Sequence, residues 1–466
     1  VIRRWRAAWL GAALLVVAGW PGVAHASVFE LFGGSPRAVG LAGALTAGAS
    51  GGEAAFHNPA QLAAIGAGQV WAGLSATAFD LSMQMARPVC TDGWSVCHAQ
   101  HLAGYAFRAP QLPRDSQGLQ LGWAYPLGGV FRHRLSLGAG LALPWGRLIR
   151  ISGADPQTPH FAQYEGMPDR LAFLFAGAWR VSDRWWLGVG TQILAVLDAK
   201  LGLDADVVNR EFTSANVRIG LSPRARLTAG VTWHPTDTWW FSLAWRQRLA
   251  LSYAIPTTLD LGAAARIGIG LSHETLFTPD TFRAGVAWRT GAWLWLGDLG
   301  WARWSQAPDP SPQVSAVAGG PLVDGFGLGK ALQVGTDAAP IALGMRDVWQ
   351  PGVAVERTAG DWRWRLGGQY RPTPAARARG PFNYVDNDAF AVGVGLGWRH
   401  GAAGSTTEGK RDDPAGVPAA WFADAGLQAL VLLARTEVKL DPRDPVGDFR
   451  HGGVVWHGSV SAGVHF

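Results

Sequence analysis

From Trp362 to Arg371 the chain reads Trp-Arg-Trp-Arg-Leu-Gly-Gly-Gln-Tyr-Arg. At the two-residue period of a strand, Trp362, Trp364, Leu366, Gly368 and Tyr370 share one face, and Arg363, Arg365, Gly367, Gln369 and Arg371 the other. A half-buried sheet of a soluble protein turns a polar face rich in Lys, Glu and Thr to water. Tryptophan on one face and arginine on its back fit instead a strand with lipid outside and a wet lumen inside. The pattern recurs. Phe390, Val392, Val394, Leu396 and Trp398 alternate with Ala391, Gly393, Gly395, Gly397 and Arg399. Trp239, Phe241, Leu243 and Trp245 alternate with Trp240, Ser242, Ala244 and Arg246, and Phe282, Ala284, Val286 and Trp288 with Arg283, Gly285, Ala287 and Arg289.

Composition agrees with a lipid-facing surface. Charged residues make up 16% of the chain, against roughly a quarter in soluble domains, while apolar residues make up 48%. Tryptophan occurs 25 times, against 6 tyrosines. The formal charge is +6, of which Arg3, Arg4 and Arg6 supply three in a stretch without acids, so the rest of the chain sits near +3. No Lys/Arg run supports nucleic acid as a partner.

Fourteen segments carry strand periodicity, at roughly 69–87, 117–127, 133–143, 170–181, 185–198, 224–234, 238–253, 279–290, 292–304, 347–358, 361–371, 389–399, 420–437 and 453–466. Tight turns join alternate pairs: Gly128-Gly129 to His133, Ser182-Asp183, Pro235-Thr236-Asp237, Thr290-Gly291 and Ala359-Gly360-Asp361. Long connections join the others, near 88–116, 144–169, 199–223, 254–278, 305–346 and 372–388, and His400 to Pro418 is one long polar connection on the tight-turn side. The expected fold is all-β: a 14-stranded antiparallel transmembrane β-barrel with short periplasmic turns and long external loops. Closure satisfies every backbone polar group in the hydrocarbon core. A secreted sandwich or propeller is the soluble alternative; it would need wetter outer faces, and no blade-length repeat occurs.

Residues 1–26 read as a signal peptide, with a basic start, an apolar middle from Ala7 to Gly19 and a small-x-small site at Ala24-His25-Ala26. The apolar run is shorter than the ~20 residues that span a bilayer. Residues 27–66 fit neither helix nor strand periodicity. Glycine stands at 33, 34, 40, 43, 48, 51 and 52, charge is sparse, and the stretch closes on Phe56-His57-Asn58-Pro59-Ala60. This segment is expected to fold inside the lumen as a hatch, with residues 67–466 as the barrel. The last strand alternates Val454, Trp456, Gly458, Val460, Ala462, Val464 and Phe466 with polar and small residues. Its terminal aromatic resembles the signal read by the barrel-assembly machinery of outer membranes.

Four stretches resemble the outer-membrane long-chain fatty acid transporters, the FadL/TodX type. Phe29 to Ala63, with Asn58-Pro59-Ala60, is similar to that family's hatch. Gly230 to Asp237 followed by Ser242-Leu-Ala-Trp245 is similar to a strand–turn–strand around Pro-Thr-Asp. Leu296 to Ser305 is similar to its strand ending in Trp-Ser. Tyr370 to Pro374, Asn383 to Asp388 and Gly393 to Trp398 are similar to its late loop and strand. The resemblance implies a fourteen-stranded barrel with an internal hatch. It also implies a hydrophobic substrate taken from outside, and exit through a gap in the wall near a kinked third strand. Expected surroundings are outer-membrane lipid, including lipopolysaccharide.

Several residues follow as candidates. Asn58, Pro59 and Ala60 form the expected hatch turn, since Asn before Pro favours one. Phe29, Leu31 and Phe32 would line the substrate path, each buried CH₂ of a fatty tail contributing about 0.8 kcal/mol. Arg170, Arg248, Arg283 and Arg371 are candidate ligands for an acyl carboxylate, which guanidinium fits well. Gly138, Gly140 and Pro144 are candidates for a weakened third strand, glycine and proline being marks of bulges; ordinary small lumen-facing residues explain them equally. Cys90 and Cys97 read as a disulfide across a small loop, with a zinc site of Cys90, Cys97, His98 and His101 as the alternative. No cofactor is expected. Enzyme motifs are poor: Gly404 to Lys410 lacks the Ser/Thr that completes a phosphate loop, and His457 with Ser459 is the only hint of an outer-membrane lipase. Aromatic or alkane hydrocarbons are the alternative substrates, and a general porin or structural barrel is the alternative class.

Overall fold

The protein is described from a computed structural model. The structure describes residues 28–85, 112–132, 134–145, 158–165, 171–206, 211–260, 266–308, 313–326, 334–335, 344–380, 382–400, 420–441, 444 and 446–466. The signal segment, Cys90, Cys97, Arg170 and the 401–419 connection lie outside the described residues.

Fourteen strands close into one antiparallel wall. In order around it are β1 (Gln69–Met85), β2 (Ser116–Pro126), β3 (Leu135–Pro144), β4 (Ala172–Arg180), β5 (Trp185–Asp206), β6 (Glu211–Thr236) and β7 (Trp239–Arg246). Next come β10 (Thr281–Thr290), β11 (Trp293–Ala302), β14 (Val348–Ala359), β15 (Trp362–Arg371), β16 (Ala389–His400), β17 (Ala420–Glu437) and β18 (Phe449–His465). β18 pairs back onto β1 from Gln69↔His465 to Met85↔Phe449, so the wall has no free edge. Most strands run about ten residues, the length that crosses a bilayer at a tilt.

Every segment expected as a strand is one, with three differences at the long-loop end. β5 and β6 continue past the wall and pair with each other as far as Asp206↔Glu211, where a loop was expected. The expected strand 238–253 is broken at Gln247 and Arg248: the Gln247 amide still donates to the Leu227 carbonyl, but the Leu227 amide goes to the Gln247 side chain and the Arg248 amide to Asp280 Oδ1. Beyond that break, β8 (Leu249–Asp260) pairs with β9 (Arg266–Thr278), and β9 pairs with β12 (Gln313–Gly319) outside the wall. β12 in turn pairs with β13 (Val334–Gly335).

The outer surface is apolar and ringed by aromatics. Near the tight turns, Trp185 stacks on Trp233 and Trp239 on Trp288. At the other end Trp301 stacks on Phe282 and on Trp349. These are the two interfacial girdles of a membrane barrel. β15 presents Trp362, Trp364 and Leu366 outward, exposed, while Arg365, Gly367 and Gln369 are buried on the inner side.

Residues 28–65 cross the lumen, touching the wall on nearly all sides. Short helices Val28–Phe32, Pro36–Gly40 and Ala54–His57 and 3₁₀ turns Gly51–Glu53 and Pro59–Ala64 make up most of the segment. Gly33 and Gly34, at φ 81° and 72°, end the first helix in the left-handed region that a β-carbon disfavours.

The wall receives this segment through inward-facing glycines. A β-carbon on Gly188 would lie 2.2 Å from the Ala60 amide nitrogen, and one on Gly230 1.9 Å from Asn58 Oδ1. On the opposite side Gly367, Gly393 and Gly426 make a ledge under residues 36–41: added β-carbons would meet the backbone of Leu41, Val39 and Pro36 at 2.3, 2.2 and 2.2 Å. Glycine here serves close backbone approach, the use expected of it inside a strand.

Candidate functional site

The lumen is the candidate site, built from hatch residues and the wall that holds them. Asn58 is fully buried and uses its whole amide. Oδ1 accepts from the Ala60 amide at 3.1 Å, capping the 3₁₀ turn that Pro59 opens. Nδ2 donates to the Thr46 carbonyl at 2.9 Å and to Thr232 Oγ1 of β6 at 3.3 Å. Gln61 reaches the same wall, donating to Thr232 and to Ser242 of β7. The turn at 58–60 therefore joins two parts of the hatch to each other and to the wall. Next to it His57 is buried, its Nε2 donating to the Gly33 carbonyl at 3.2 Å. Burial, reinforced by the charges of Arg246 and Arg283, pushes its pKa down to about 3, so the ring is neutral.

Phe29, Leu31 and Phe32 are all buried. The Phe29 ring lies 5.4 Å from that of Phe56 and faces Gly140 of β3. Phe32 stacks flat on His457 of β18, with ring centroids 4.1 Å apart. Gly138 accommodates Leu62. β3 itself pairs with β2 from Gly118↔Pro144 to Pro126↔Ser136, and with β4 from Leu135↔Trp179 to Ala142↔Ala172, without a register shift. Its glycines make room for the hatch in an unbroken strand.

Two of the candidate arginines meet at the hatch. Arg371 Nη2 donates to the Leu31 carbonyl at 2.9 Å. Arg283 lies 3.7 Å from Asp298, which also accepts from the Thr46 amide and hydroxyl. Arg248 is not with them: the break after Arg246 leaves it exposed. Arg246, one turn of the alternation earlier, takes the lumen position. Its Nη2 donates to the Phe56 carbonyl at 2.8 Å and its guanidinium lies 3.7 Å over the Phe56 ring. His457 and Ser459 have separate partners, Thr77 for the first and the Leu74 carbonyl for the second.

Sequence reasoning missed a buried ionic network at the tight-turn end. Arg37 donates to Glu53 of the hatch at 2.7 Å and to Glu356 of β14 at 3.0 Å. Glu356 also accepts from Arg365, which is paired on its other side with Asp424 of β17. The signal was present: Glu30, Arg37 and Glu53 are the charges between Val28 and Ile65. A charge in so apolar a stretch needs a buried partner, and each has one from an arginine or carboxylate. Among the described residues no group of three His, Cys, Asp or Glu side chains could hold a metal ion.

A fourteen-stranded transmembrane barrel with an internal segment across its lumen is the class of protein that this fold defines. Solved structures share it. That of the Pseudomonas putida toluene transporter TodX matches with a TM-score of 0.54 at 12% identity, over 94% of this chain and 99% of that one. A Pseudomonas aeruginosa FadL homologue gives 0.53 at 13% identity, over 93% and 98%. The CymD monoaromatic hydrocarbon channel gives 0.50 at 12% identity, over 94% and 99%. The chain thus has the FadL/TodX fold expected from its four sequence stretches. No family model and no curated protein sequence matches it.

Proposed function

We propose that the protein is a passive outer-membrane channel for hydrophobic molecules, with long-chain fatty acids as its substrates and residues 27–66 as the gate. The observation that carries the reading is the hatch: a segment seated on wall glycines and tied by Asn58 and Arg37 lies across a lumen that a general porin would leave open. The fold likeness to hydrophobic-substrate channels supports the substrate class. Buried Phe29, Leu31, Phe32 and Phe56 supply apolar surface along the path, and lumen arginines supply partners for a carboxylate. In this reading the signal segment at 1–26 directs export and leaves the N-terminus periplasmic. Phe466 engages the assembly machinery, and the wall faces lipid and lipopolysaccharide. Cys90 and Cys97 form a disulfide, and substrate leaves beside β3 or into the periplasm once the turn at Asn58, Pro59 and Ala60 shifts.

Aromatic or alkane hydrocarbons are the second reading, favoured by likeness to structures named as toluene and monoaromatic channels. The test is uptake by a bacterial strain lacking its own transporter, with oleate, toluene and a long alkane offered in parallel. Oleate uptake restored by the chain is the expected result. Uptake of toluene alone moves the substrate to the second reading, and no uptake of any of the three removes the function.

A further inference from the structure

We infer that Glu30 is a built-in carboxylate occupying the place of a substrate's carboxylate, and that it sets the channel's preference for acids over neutral hydrophobic molecules. The inference rests on the channel reading above and deepens it. The first hatch helix, Val28–Phe32, stands among Arg226 of β6, Arg246 of β7, Arg283 of β10 and Arg371 of β15. Among the described residues, two carboxylates oppose these four guanidinium groups, Glu30 and Asp298. Asp298 is already engaged by Thr46. Among the described residues, then, positive charge exceeds negative around this helix.

The arginines are not equally satisfied. Arg226 is buried and bonded through all three of its nitrogens: Nε donates to Gln192, Nη1 to Thr278 and Nη2 to Glu30. Arg246 is short of partners. It stands 3.7 Å from Glu30, donates one hydrogen bond to a hatch carbonyl, and keeps a buried Nε with none. Arg283 has only long contacts, 3.5 Å to Gln350 and 3.7 Å to Asp298. Between Arg246 and Arg283 lies a cavity of about 10 Å³, room for about one water as the hatch is seated, lined also by Phe56, His57, Thr228 and Thr281, so a carboxylate enters only as the hatch gives way. An orphaned buried donor and two loosely held guanidinium groups beside one cavity have the chemistry to take an incoming carboxylate, whose oxygens suit forked donors.

That carboxylate competes with Glu30. By taking Arg246 it leaves Glu30 on Arg226 alone and weakens the seat of the Val28–Phe32 helix. The helix is otherwise held by the Arg371 bond to Leu31 and the Phe32 stack on His457. A hydrocarbon or ester can fill the apolar part of the site but offers no charge to exchange for Glu30. Acid binding and hatch loosening are thereby coupled, because a ligand shifts an equilibrium only through differential affinity for its two states.

The test uses the full-length protein in lipid nanodiscs, with equilibrium binding of radiolabelled oleate and of methyl oleate. Glu30→Gln keeps the side-chain shape and removes the competing charge. It is expected to tighten oleate binding about tenfold, the scale of one charge-assisted hydrogen bond, and to leave methyl oleate unchanged. Arg246→Gln is expected to weaken oleate and spare the ester. A Glu30→Gln variant that shifts both ligands alike, neither, or weakens oleate overturns the inference.

Hydrogen exchange on the unmodified protein gives an answer independent of any variant's folding. Oleate should speed exchange at Gly33, whose amide closes the first helix on the Phe29 carbonyl, and methyl oleate should not. Equal or absent effects overturn the proposal. If the unmodified protein binds neither ligand, the fatty-acid reading itself fails; if it binds both and only the Glu30 effects are missing, that reading stands and this inference falls.

Discussion

Gly393→Ala should loosen the hatch while leaving the barrel intact. The added methyl would lie 2.2 Å from the Val39 carbonyl oxygen, where ordinary contact begins near 3.4 Å. Val39 or the strand must therefore move by about an ångström. The neighbouring atom is backbone, in a helix that also rests on Gly367 and Gly426, so it cannot swing aside as a side chain would. Overfilling a packed site costs about 1–3 kcal/mol. Alanine in a strand is itself better than glycine by about 0.5–1 kcal/mol. The two effects fall on different parts: the barrel gains slightly and the hatch seat loses.

At 1.4 kcal/mol per factor of ten, the open population of residues 36–43 should rise by roughly fivefold to a hundredfold. Hydrogen exchange read by mass spectrometry measures this directly, at the Val39, Leu41 and Gly43 amides that bond to Ser35, Arg37 and Ala38. Gly128→Ala is the control, since a β-carbon there meets nothing within 4 Å. Unchanged exchange at 39–43 refutes the close seating. So does a barrel that loses its heat-stable fold before the hatch exchanges faster, because the glycine would then serve the strand.

Asn58→Ala removes a cap worth about 1 kcal/mol and leaves the Thr46 carbonyl without the amide that donates to it, so hatch protection should fall by about 2–4 kcal/mol while wall strands keep theirs; equal loss in both refutes the placement. Glu356→Gln removes the carboxylate that Arg37 and Arg365 share while Glu53 and Asp424 remain to them, so the cost should fall at or below the low end of the roughly 3–5 kcal/mol for breaking a buried pair; the unfolding temperature of the hatch region should drop accordingly, with little dependence on salt because the pair is buried. His57 gives a pH dependence. Its seated pKa is pushed down to about 3 and its released value is near 6.5, so between these pH values the released hatch holds the extra proton. Seating is therefore full above about pH 6.5 and weakens as pH falls, by about 2 kcal/mol at pH 5. Exchange at residues 54–57 should accelerate on acidification, and His57→Gln should abolish that acceleration.

Much of the wall was legible because a strand's period is fixed and lipid and lumen demand opposite faces. Trp362 to Arg371 shows this: each residue assigned to the lumen by alternation alone faces it. Alternation says nothing about where a strand stops, which is why the turn at Gln247–Arg248 moved a candidate from the lumen to the exterior and left Arg246 in place. It is also silent on depth. Arg365 and Arg371 share a face, yet one joins the Arg37 network and the other holds Leu31 at the first hatch helix. The hatch itself was legible as a segment through its glycines. Its attachments were not, since Glu30 and Arg37 pair with strands up to 319 positions away in the chain, and no local pattern encodes such partners.

Single-channel conductance in planar bilayers tests the central claim most directly, by comparing the intact chain with one lacking residues 27–56. The intact protein should conduct ions poorly, and the shortened one should form a folded barrel with a large, steady conductance. A large steady conductance with the hatch in place, or no change on its removal, contradicts the account.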